Sequence, residues 1–150
     1  MTTQYAPALN EGSEDYFEDI YDRQIHDTDT FRVDVNTMVN EIYNTLGSGH
    51  SERVYHNAME VSLRELNIPY ESERHVPIYY KEHVVGMARA DIIVRKTTVL
   101  EFKTVKSLND AMISQAKKYL TQLKLRTAYL INFPPGENQV AEIVEVKQSV

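Results

Sequence analysis

The chain has 150 residues, of which 42% are hydrophobic and 25% are charged, as is typical of one soluble globular domain. It contains no cysteine, which excludes disulfide scaffolds, cysteine-ligated zinc, iron–sulfur clusters and thiol nucleophiles. No apolar run approaches the roughly 20 residues of a membrane helix. The first residues, Met1 to Gln4, lack the basic and apolar pattern of a signal peptide. We therefore expect an intracellular protein, in the cytoplasm or nucleus, with no membrane partner.

The net charge of −6 is unevenly distributed along the chain. Residues 1–45 contain ten acids and two bases, whereas residues 46–150 contain twelve acids and fourteen bases. This asymmetry divides the chain into an acidic N-terminal arm, residues 1–30, and one folded domain, residues 31–150. The nearly neutral domain lacks the strongly basic surface of a tight nonspecific DNA-binding protein. It remains compatible with a nucleic-acid enzyme that surrounds central acids with bases.

The acidic arm has few aliphatic residues. Residues 1–13 are expected to be disordered, because their composition offers little apolar surface to bury. Within residues 14–25, the apolar side chains recur at helical spacing and allow a short amphipathic helix that docks on the domain or on a partner. A solvated acidic arm is the alternative. The apolar side chains concerned are Tyr16, Phe17, Ile20 and Tyr21.

Two helices are predicted at the start of the folded domain. From Val33 onward, apolar residues recur at helical spacing as far as Gly47, which is a fitting C-terminal stop. Ser51 is a suitable N-cap for a second helix, which should stop before Pro69. The expected apolar side of this second helix consists of Val54, Ala58, Met59, Val61 and Leu66.

The apolar period then changes from that of a helix to that of strands. Three strands are predicted in succession, and a long helix follows from Leu108–Asp110 to about Arg126, with Asn109 or Asp110 as its cap. Two further strands complete the chain. Consecutive strands should form antiparallel hairpins and the long helix should cross over, which gives an α/β fold with a mixed sheet. The strand ranges are 71–81, 84–94, 99–103, 128–133 and 140–146.

Two carboxylates interrupt the apolar strands. Asp91 lies in the second strand and Glu101 in the third, and a hairpin between these strands would place the two side by side. Lys103 follows Glu101 by two residues and therefore points to the same face of the sheet. A cross-strand salt bridge on a solvated face would explain the same pattern.

This group also suits metal-assisted hydrolysis of a phosphodiester. Mg²⁺ prefers oxygen ligands and is usually held by one or two carboxylates together with waters and substrate phosphates. Asp91 and Glu101 supply carboxylate oxygens, and the carbonyl of Phe102 supplies a third. Lys103 could orient or deprotonate the attacking water, or neutralise charge that builds up on the phosphate.

Residues on both long helices add polar groups to this arrangement. Gln115 and Tyr119 share one helix face, although a core role would also explain Tyr119. Glu52 lies in the first turn of its helix, where the helix dipole alone favours an acid. His50 and His56 flank Glu52, so a His/Glu transition-metal pair is a rival interpretation.

These residues resemble the motifs of a known superfamily. Asp91, followed after nine residues by Glu101-Phe102-Lys103, resembles the signature of the PD-(D/E)XK nuclease superfamily. The segment Gly49-His50-Ser51-Glu52-Arg53-Val54-Tyr55 reads G-x-x-E-x-x-Y and resembles a branch of it, the GxxExxY family. The resemblance covers roughly residues 35–146. It also includes Val76 to Tyr80, Gly86 to Asp91, Gln115 to Tyr119 and Leu130 to Phe133.

The resemblance implies a restriction-endonuclease-like core with the order α-β-β-β-α-β and one or two Mg²⁺ ions, for which Mn²⁺ is a substitute. It implies that Asp91 and Glu101 are metal ligands and that Lys103 is the catalytic lysine. Glu52 would complete or support the metal shell from its helix.

The resemblance also implies substrate-binding residues. Gln115 and Tyr119 resemble the Q-x-x-x-Y element that lines the site in RecB-like and lambda-type exonucleases. Arg89 matches an arginine often found just before the aspartate of the family, where it would contact phosphate. The aspartate of this chain is not preceded by proline.

Taken together, the sequence predicts a metal-dependent nuclease that hydrolyses DNA, with exonuclease-like cutting, in DNA repair, recombination or processing. DNA is favoured over RNA as the partner. The alternative is a catalytically silent module with the nuclease fold that acts through protein or nucleic-acid partners, with the acidic arm as a docking segment. The sequence leaves the oligomeric state open.

Overall fold

The computed structural model describes residues 3–5 and 28–148 of the chain. After one additional strand at the start, the helices and strands follow one another in the predicted order. In chain order the elements are β1 (Thr3–Tyr5), α1 (Thr28–Leu46), α2 (Glu52–Glu65), β2 (Tyr70–Tyr80), β3 (His83–Val94), β4 (Thr98–Lys103), α3 (Asp110–Leu123), β5 (Thr127–Asn132) and β6 (Glu142–Lys147).

The six strands form one mixed sheet in which spatial order equals chain order. Neighbouring strands pair antiparallel, except that β4 and β5 are parallel. This exception follows from α3, because a parallel pair needs a crossover connection and a helix supplies it. The expected mixed-sheet α/β fold is therefore confirmed.

Helices cover both faces of the sheet, which gives three layers. On one face, α1 and α2 pack on the sheet in a large cluster that includes Met38, Tyr55, Leu100 and Phe102. On the other face, Ala116 and Leu120 of α3 pack in a smaller cluster against strand residues. Because β4 and β5 are covered on both faces, their side chains are almost all buried.

The helix ends are set by local capping residues that the sequence predicts. Gly47 takes a positive φ of 74° and its N–H donates to the Tyr43 carbonyl 2.9 Å away, which closes α1. Asn109 caps α3, since its side-chain oxygen accepts from the Met112 N–H at 3.0 Å. Lys124 ends α3 in the left-handed conformation, two residues before the predicted end.

The two hairpin turns are tight. Lys81 and Glu82, the two residues between β2 and β3, both have positive φ, as do Arg95 and Lys96 in the three-residue connection between β3 and β4. Consecutive residues with positive φ match the twist of a hairpin. Both turns lie where the sequence predicts them. The turns fix the register of β2, β3 and β4, and with it the relative positions of Asp91 and Glu101.

The N-terminal part of the chain departs from the prediction in one place. Residues 1–13 were expected to be disordered, but Thr3–Tyr5 pairs antiparallel with residues 70–72 of β2 as an edge strand. The unpaired backbone groups of an edge can capture any extended segment, so composition does not reveal the pairing. Helix α1 begins at Thr28 and crosses the boundary drawn at residue 31. The helix expected within residues 14–25 lies outside the described residues.

The buried side of α2 also differs from the prediction. Three of the residues assigned to its apolar side, Val54, Val61 and Leu66, are exposed, and Val61 is 46% exposed. The predicted Met59 is buried and Ala58 is partly buried against the core, and the helix also buries Tyr55, His56 and Leu63. None of the described helices is long and apolar enough to cross a membrane.

Candidate active site

The antiparallel ladder between β3 and β4 ends at the pair Ile92–Leu100. Beyond this pair, Asp91 and Glu101 replace backbone pairing with side-chain bonds. The Asp91 N–H donates to Glu101 Oε1 at 3.2 Å, and the Phe102 N–H donates to Asp91 Oδ2 at 3.0 Å. The structure thus brings the two predicted carboxylates together where the strands separate.

Glu101 is the more deeply buried member of this pair, at 6% exposure. Burial raises its pKa well above the usual value, and the neighbouring Asp91 carboxylate raises it further. The Asp91 N–H and the Lys103 ammonium act in the opposite direction, but they do not balance burial. Burial and the neighbouring carboxylate thus disfavour full ionisation of the pair, and a bound cation would favour it.

The Phe102 carbonyl has an orientation suited to a third oxygen ligand. In a strand, the N–H and the C=O of one residue point towards the same neighbouring strand. The Phe102 N–H donates to Asp91, so its carbonyl faces the β3 side as well. Asp91, Glu101 and this carbonyl form a donor set of oxygens, which is the ligand type that Mg²⁺ requires.

A cleft of about 410 Å³ opens beside Asp91. Its wall includes Glu52 from the first turn of α2 and Phe102 from β4. Glu52 therefore lies at the same cleft as Asp91. Within residues 3–5 and 28–148, however, no three acidic or histidine side chains lie close enough to hold a metal ion among themselves.

Tyr55 fixes the start of α2 and so the place of Glu52. Its ring stacks on Phe133 at a centroid distance of 4.1 Å and is fully buried. Its hydroxyl donates to the Gly47 carbonyl at 2.6 Å. The tyrosine of the G-x-x-E-x-x-Y segment thus ties the connection between α1 and α2 to the chain after β5.

Lys103 is the last residue of β4, next to Asn132 of β5. The Phe133 N–H donates to the Lys103 carbonyl at 2.9 Å. Asn132 is fully buried; its Oδ1 accepts from the Val105 N–H, and its Nδ2 donates to the Val105 carbonyl, both at 2.9 Å. Asn132 therefore holds the segment that follows Lys103, a role that the sequence interpretation did not assign.

Gln115 and Tyr119 of α3 belong to the surroundings of the carboxylates. Gln115 Nε2 donates to the Tyr119 hydroxyl at 3.4 Å. Burial is the main cause of a raised pKa of Tyr119, and the nearby carboxylates of Glu101 and Asp91 raise it further. The helix that supplies the Q-x-x-x-Y element thus reaches the pair from the face opposite α2.

Arg89 lies two residues before Asp91, with its Nη2 4.0 Å from Asp91 Oδ1. Arg53 of α2 lies at the same cleft and forms an ion pair with Glu73 of β2. Arg89 reaches the same carboxylate, with Nη1 3.8 Å from Glu73 Oε1. Glu73 has a positive φ of 57° inside a strand, an unusual backbone conformation for a residue of this type.

The rival His/Glu metal pair finds no support. His50 Nε2 lies 3.0 Å from the Leu46 carbonyl; a carbonyl only accepts, so this nitrogen carries a proton and is no ligand. His56 Nε2 lies 2.9 Å from Ser72 Oγ and 3.1 Å from Glu60 Oε2. Burial lowers the pKa of His56, although Glu60 and Asp91 oppose the shift.

The sequence interpretation assigned no role to three residues around the site: Arg53, Glu73 and Asn132. Arg53 directly follows Glu52 and was therefore within the G-x-x-E-x-x-Y segment, but its pairing partner is 20 residues away. The positive φ of Glu73 has no sequence signal, because glycine is the residue that normally marks such a position.

The fold and the carboxylate pair define an α/β domain of the nuclease type, and comparison with known proteins identifies the family. The model of the PD-(D/E)XK nuclease superfamily matches residues 29–146. This chain is a member of the PD-(D/E)XK nuclease superfamily. Proteins of this superfamily are generally nucleases and typically use divalent metals.

One solved structure illustrates the shared fold. The crystal structure of SSO0001 matches with a TM-score of 0.50 and 24% sequence identity over 65% of this chain. The matched part spans 50% of the SSO0001 chain. At this identity the match supports the fold alone. No curated protein matches the chain.

Proposed function

We propose that this protein is a metal-dependent nuclease that hydrolyses phosphodiester bonds of DNA. The observation that carries the proposal is the contact between Asp91 and Glu101 where β3 and β4 separate. Two carboxylates held together with one of them buried repel each other, and a divalent cation relieves that repulsion. Membership of a superfamily of nucleases supports the same conclusion.

In this proposal Asp91, Glu101 and the Phe102 carbonyl hold Mg²⁺, or Mn²⁺ in its place, and Glu52 supports the bound waters. The bound ion would supply Lewis-acid chemistry that activates water and stabilises charge on the phosphate. The donor set fits this role, since it consists of oxygen atoms and includes a buried carboxylate without a full counter-charge.

Lys103 is the proposed catalytic lysine. Its charge acts on Glu101, and it points to the same face of the sheet as that carboxylate. As an ammonium it would orient the attacking water and neutralise charge that develops on the phosphate, and as the neutral amine it would deprotonate that water. Arg89 is the proposed phosphate contact, and Gln115 and Tyr119 bind the substrate strand from the α3 face.

We further propose that the protein belongs to the GxxExxY branch and cuts DNA from an end, in repair, recombination or processing. The G-x-x-E-x-x-Y segment begins at the cleft, with Glu52 in its wall and Tyr55 as an anchor. The Gln115–Tyr119 pair lies near the carboxylates, as the exonuclease element would require.

The proposal is tested by cleavage of end-labelled linear DNA in Mg²⁺, with Asp91→Asn and Lys103→Ala as variants. Both should lower the rate by at least about a hundredfold, because each removes a group that acts on the transition state. Asp91→Asn retains an oxygen that accepts from Phe102, so the fold should persist. Lys147→Ala is the matched control, since Lys147 is exposed on β6, pairs with Glu145 and lies outside the cleft wall.

Equal cleavage by the parent and both variants would show that the site is assigned wrongly. Absence of cleavage on linear, circular and branched DNA, with metal present, would favour the catalytically silent module instead. Cutting of circular DNA at the same rate as linear DNA would contradict the end-dependent mode alone.

A further inference from the structure

Two arginines from different elements meet at one carboxylate beside the cleft. Arg53 is the second residue of α2 and Arg89 lies in β3, and both contact Glu73 of β2. Both arginines line the cleft and are about half-exposed, at 48% and 50% of their side chains. The arrangement is therefore open to a ligand from the cleft.

Glu73 organises the pair without saturating it. A guanidinium has five N–H groups, and one carboxylate shared by two arginines accepts only a minority of the ten. The hydrogen bond from Arg53 is the main cause of a lowered pKa of Glu73, so the carboxylate is ionised at neutral pH. The group of three retains a net positive charge with several unused donors at the cleft.

A direct contact between Arg89 and Asp91 relates this charge to the carboxylate pair. Arg89 Nη2 lies 4.0 Å from Asp91 Oδ1, and both residues line the cleft together with Arg53. A nucleic-acid strand with one phosphate at Asp91 would therefore have a neighbouring phosphate beside the arginines.

We propose that Arg53 and Arg89 together bind one backbone phosphate of a DNA strand, adjacent to the phosphate at Asp91, and that Glu73 positions both guanidinium groups for this contact. This inference rests on the proposed nuclease function for its choice of ligand. Paired guanidinium groups suit a phosphate because their planar donors match its oxygens. The phosphate contact with Arg89 thereby becomes one half of a two-arginine site.

The experiment measures binding of a short fluorescein-labelled thymidine oligonucleotide in EDTA, which prevents metal-dependent cleavage, over a series of salt concentrations. Arg53→Gln and Arg89→Gln should each weaken binding about tenfold, since each removes a charge-assisted hydrogen bond to the phosphate. In the double variant, the slope of log K against log salt should fall by about 0.7, the value for one phosphate contact on a single strand.

Arg74→Gln is the matched control. Arg74 is the next residue after Glu73, its side chain is equally exposed at 48%, and it pairs with Glu71. It does not belong to the cleft wall. The affinity of this variant for the oligonucleotide should therefore stay within about twofold of that of the parent, and its salt slope should be unchanged. A loss equal to that of Arg53→Gln would mean a general charge effect and would overturn the site.

Other outcomes also decide the matter. Absence of parent binding at low salt, or unchanged binding by the arginine variants, overturns the site, and a slope change of about twice 0.7 overturns the sharing of one phosphate.

The nuclease proposal is tested separately, by cleavage in Mg²⁺. A parent that cuts DNA while its arginine variants bind normally would remove only the arginine site, and arginine-dependent binding without cleavage would remove only the nuclease.

Discussion

Glu101 and Glu73 are the same residue type on strands of one sheet, yet their surroundings act on them in opposite ways. Around Glu101, burial and the Asp91 carboxylate raise the pKa. Around Glu73, a hydrogen bond from Arg53 and the charge of Arg89 lower it. Glu101 lacks a cation that offsets its burial, whereas Glu73 contacts two arginines. The site therefore separates a place for a metal from a place for an anion.

The largest effect should come from removal of the charge of Glu101. We expect Glu101→Gln to weaken Mn²⁺ binding by roughly a hundredfold or more, because even the loss of an outer partner of a ligand costs 10- to 100-fold. Titration calorimetry, with DNA present if substrate phosphates complete the site, measures the change. Glu73→Gln is the control in the titration without DNA, where it should bind Mn²⁺ as the parent does. Equal losses in both variants would erase the distinction between the two glutamates.

The second-largest effect should come from removal of the Asn132 side chain, which holds the segment after Lys103. Asn132→Ala should lower the free energy of unfolding by roughly 2–3 kcal/mol, because the N–H and C=O of Val105 lose their buried partner. Urea denaturation measures this change. Asn57→Ala on the exposed side of α2 is the matched control and should be neutral or slightly stabilising. A neutral Asn132→Ala would mean that water replaces the side chain.

The pH dependence of stability should differ in sign between the two glutamates. For Glu101 the pKa is higher in the folded state than the usual 4.5, so the native state binds more protons between these two values. The contribution of Glu101 to the stability of the metal-free parent should therefore be full below pH 4.5 and be lost as pH rises through the raised pKa. Each unit of pKa corresponds to about 1.4 kcal/mol.

Urea denaturation in EDTA at several pH values checks this expectation. Glu101→Gln lacks the charge and should lose this downward trend, so that its advantage over the parent grows with pH. A parent that becomes more stable than Glu101→Gln as pH rises would indicate that Glu101 has a cation partner in the metal-free protein.

The smallest effect belongs to Glu73. Its pKa is lower in the folded state than the usual 4.5, so its contribution is present above that pH and is lost as pH falls through the lowered pKa. Glu73→Gln should cost less than about 1 kcal/mol at pH 7, because its arginine partners are half-exposed. Thermal denaturation at pH 7 and pH 3 measures it, and a cost that persists at pH 3 would contradict an electrostatic origin.

Local patterns predicted most elements of the fold. Alternating apolar residues located the strands to within about two residues, and Gly47 and Asn109 marked helix ends because their side-chain chemistry acts within a few positions. The pair Asp91 and Glu101 could also be predicted. A tight hairpin turn fixes the register between the strands, so two carboxylates at mirrored distances from the turn must meet.

Other features depended on contacts between distant parts of the chain. The buried side of α2 was predicted wrongly because Tyr55 and His56 carry polar atoms, and only packing against Phe133 and Phe102 decides that they point inward. The strand Thr3–Tyr5 joins the sheet through backbone groups that any extended segment offers. Composition contains no information on such a pairing.

The sequence by itself determined the α/β class, the order of the elements and the residues of the carboxylate pair. These follow from periodicity, capping and turn chemistry, which act over a few residues. The tertiary structure alone decided that Arg53, Glu73 and Arg89 meet beside the cleft and that Asn132 holds the segment after Lys103. Those contacts join residues that are 16 to 27 positions apart, and only the packing of α2, β2 and β3 on one another, and of β5 beside β4, brings their side chains within reach.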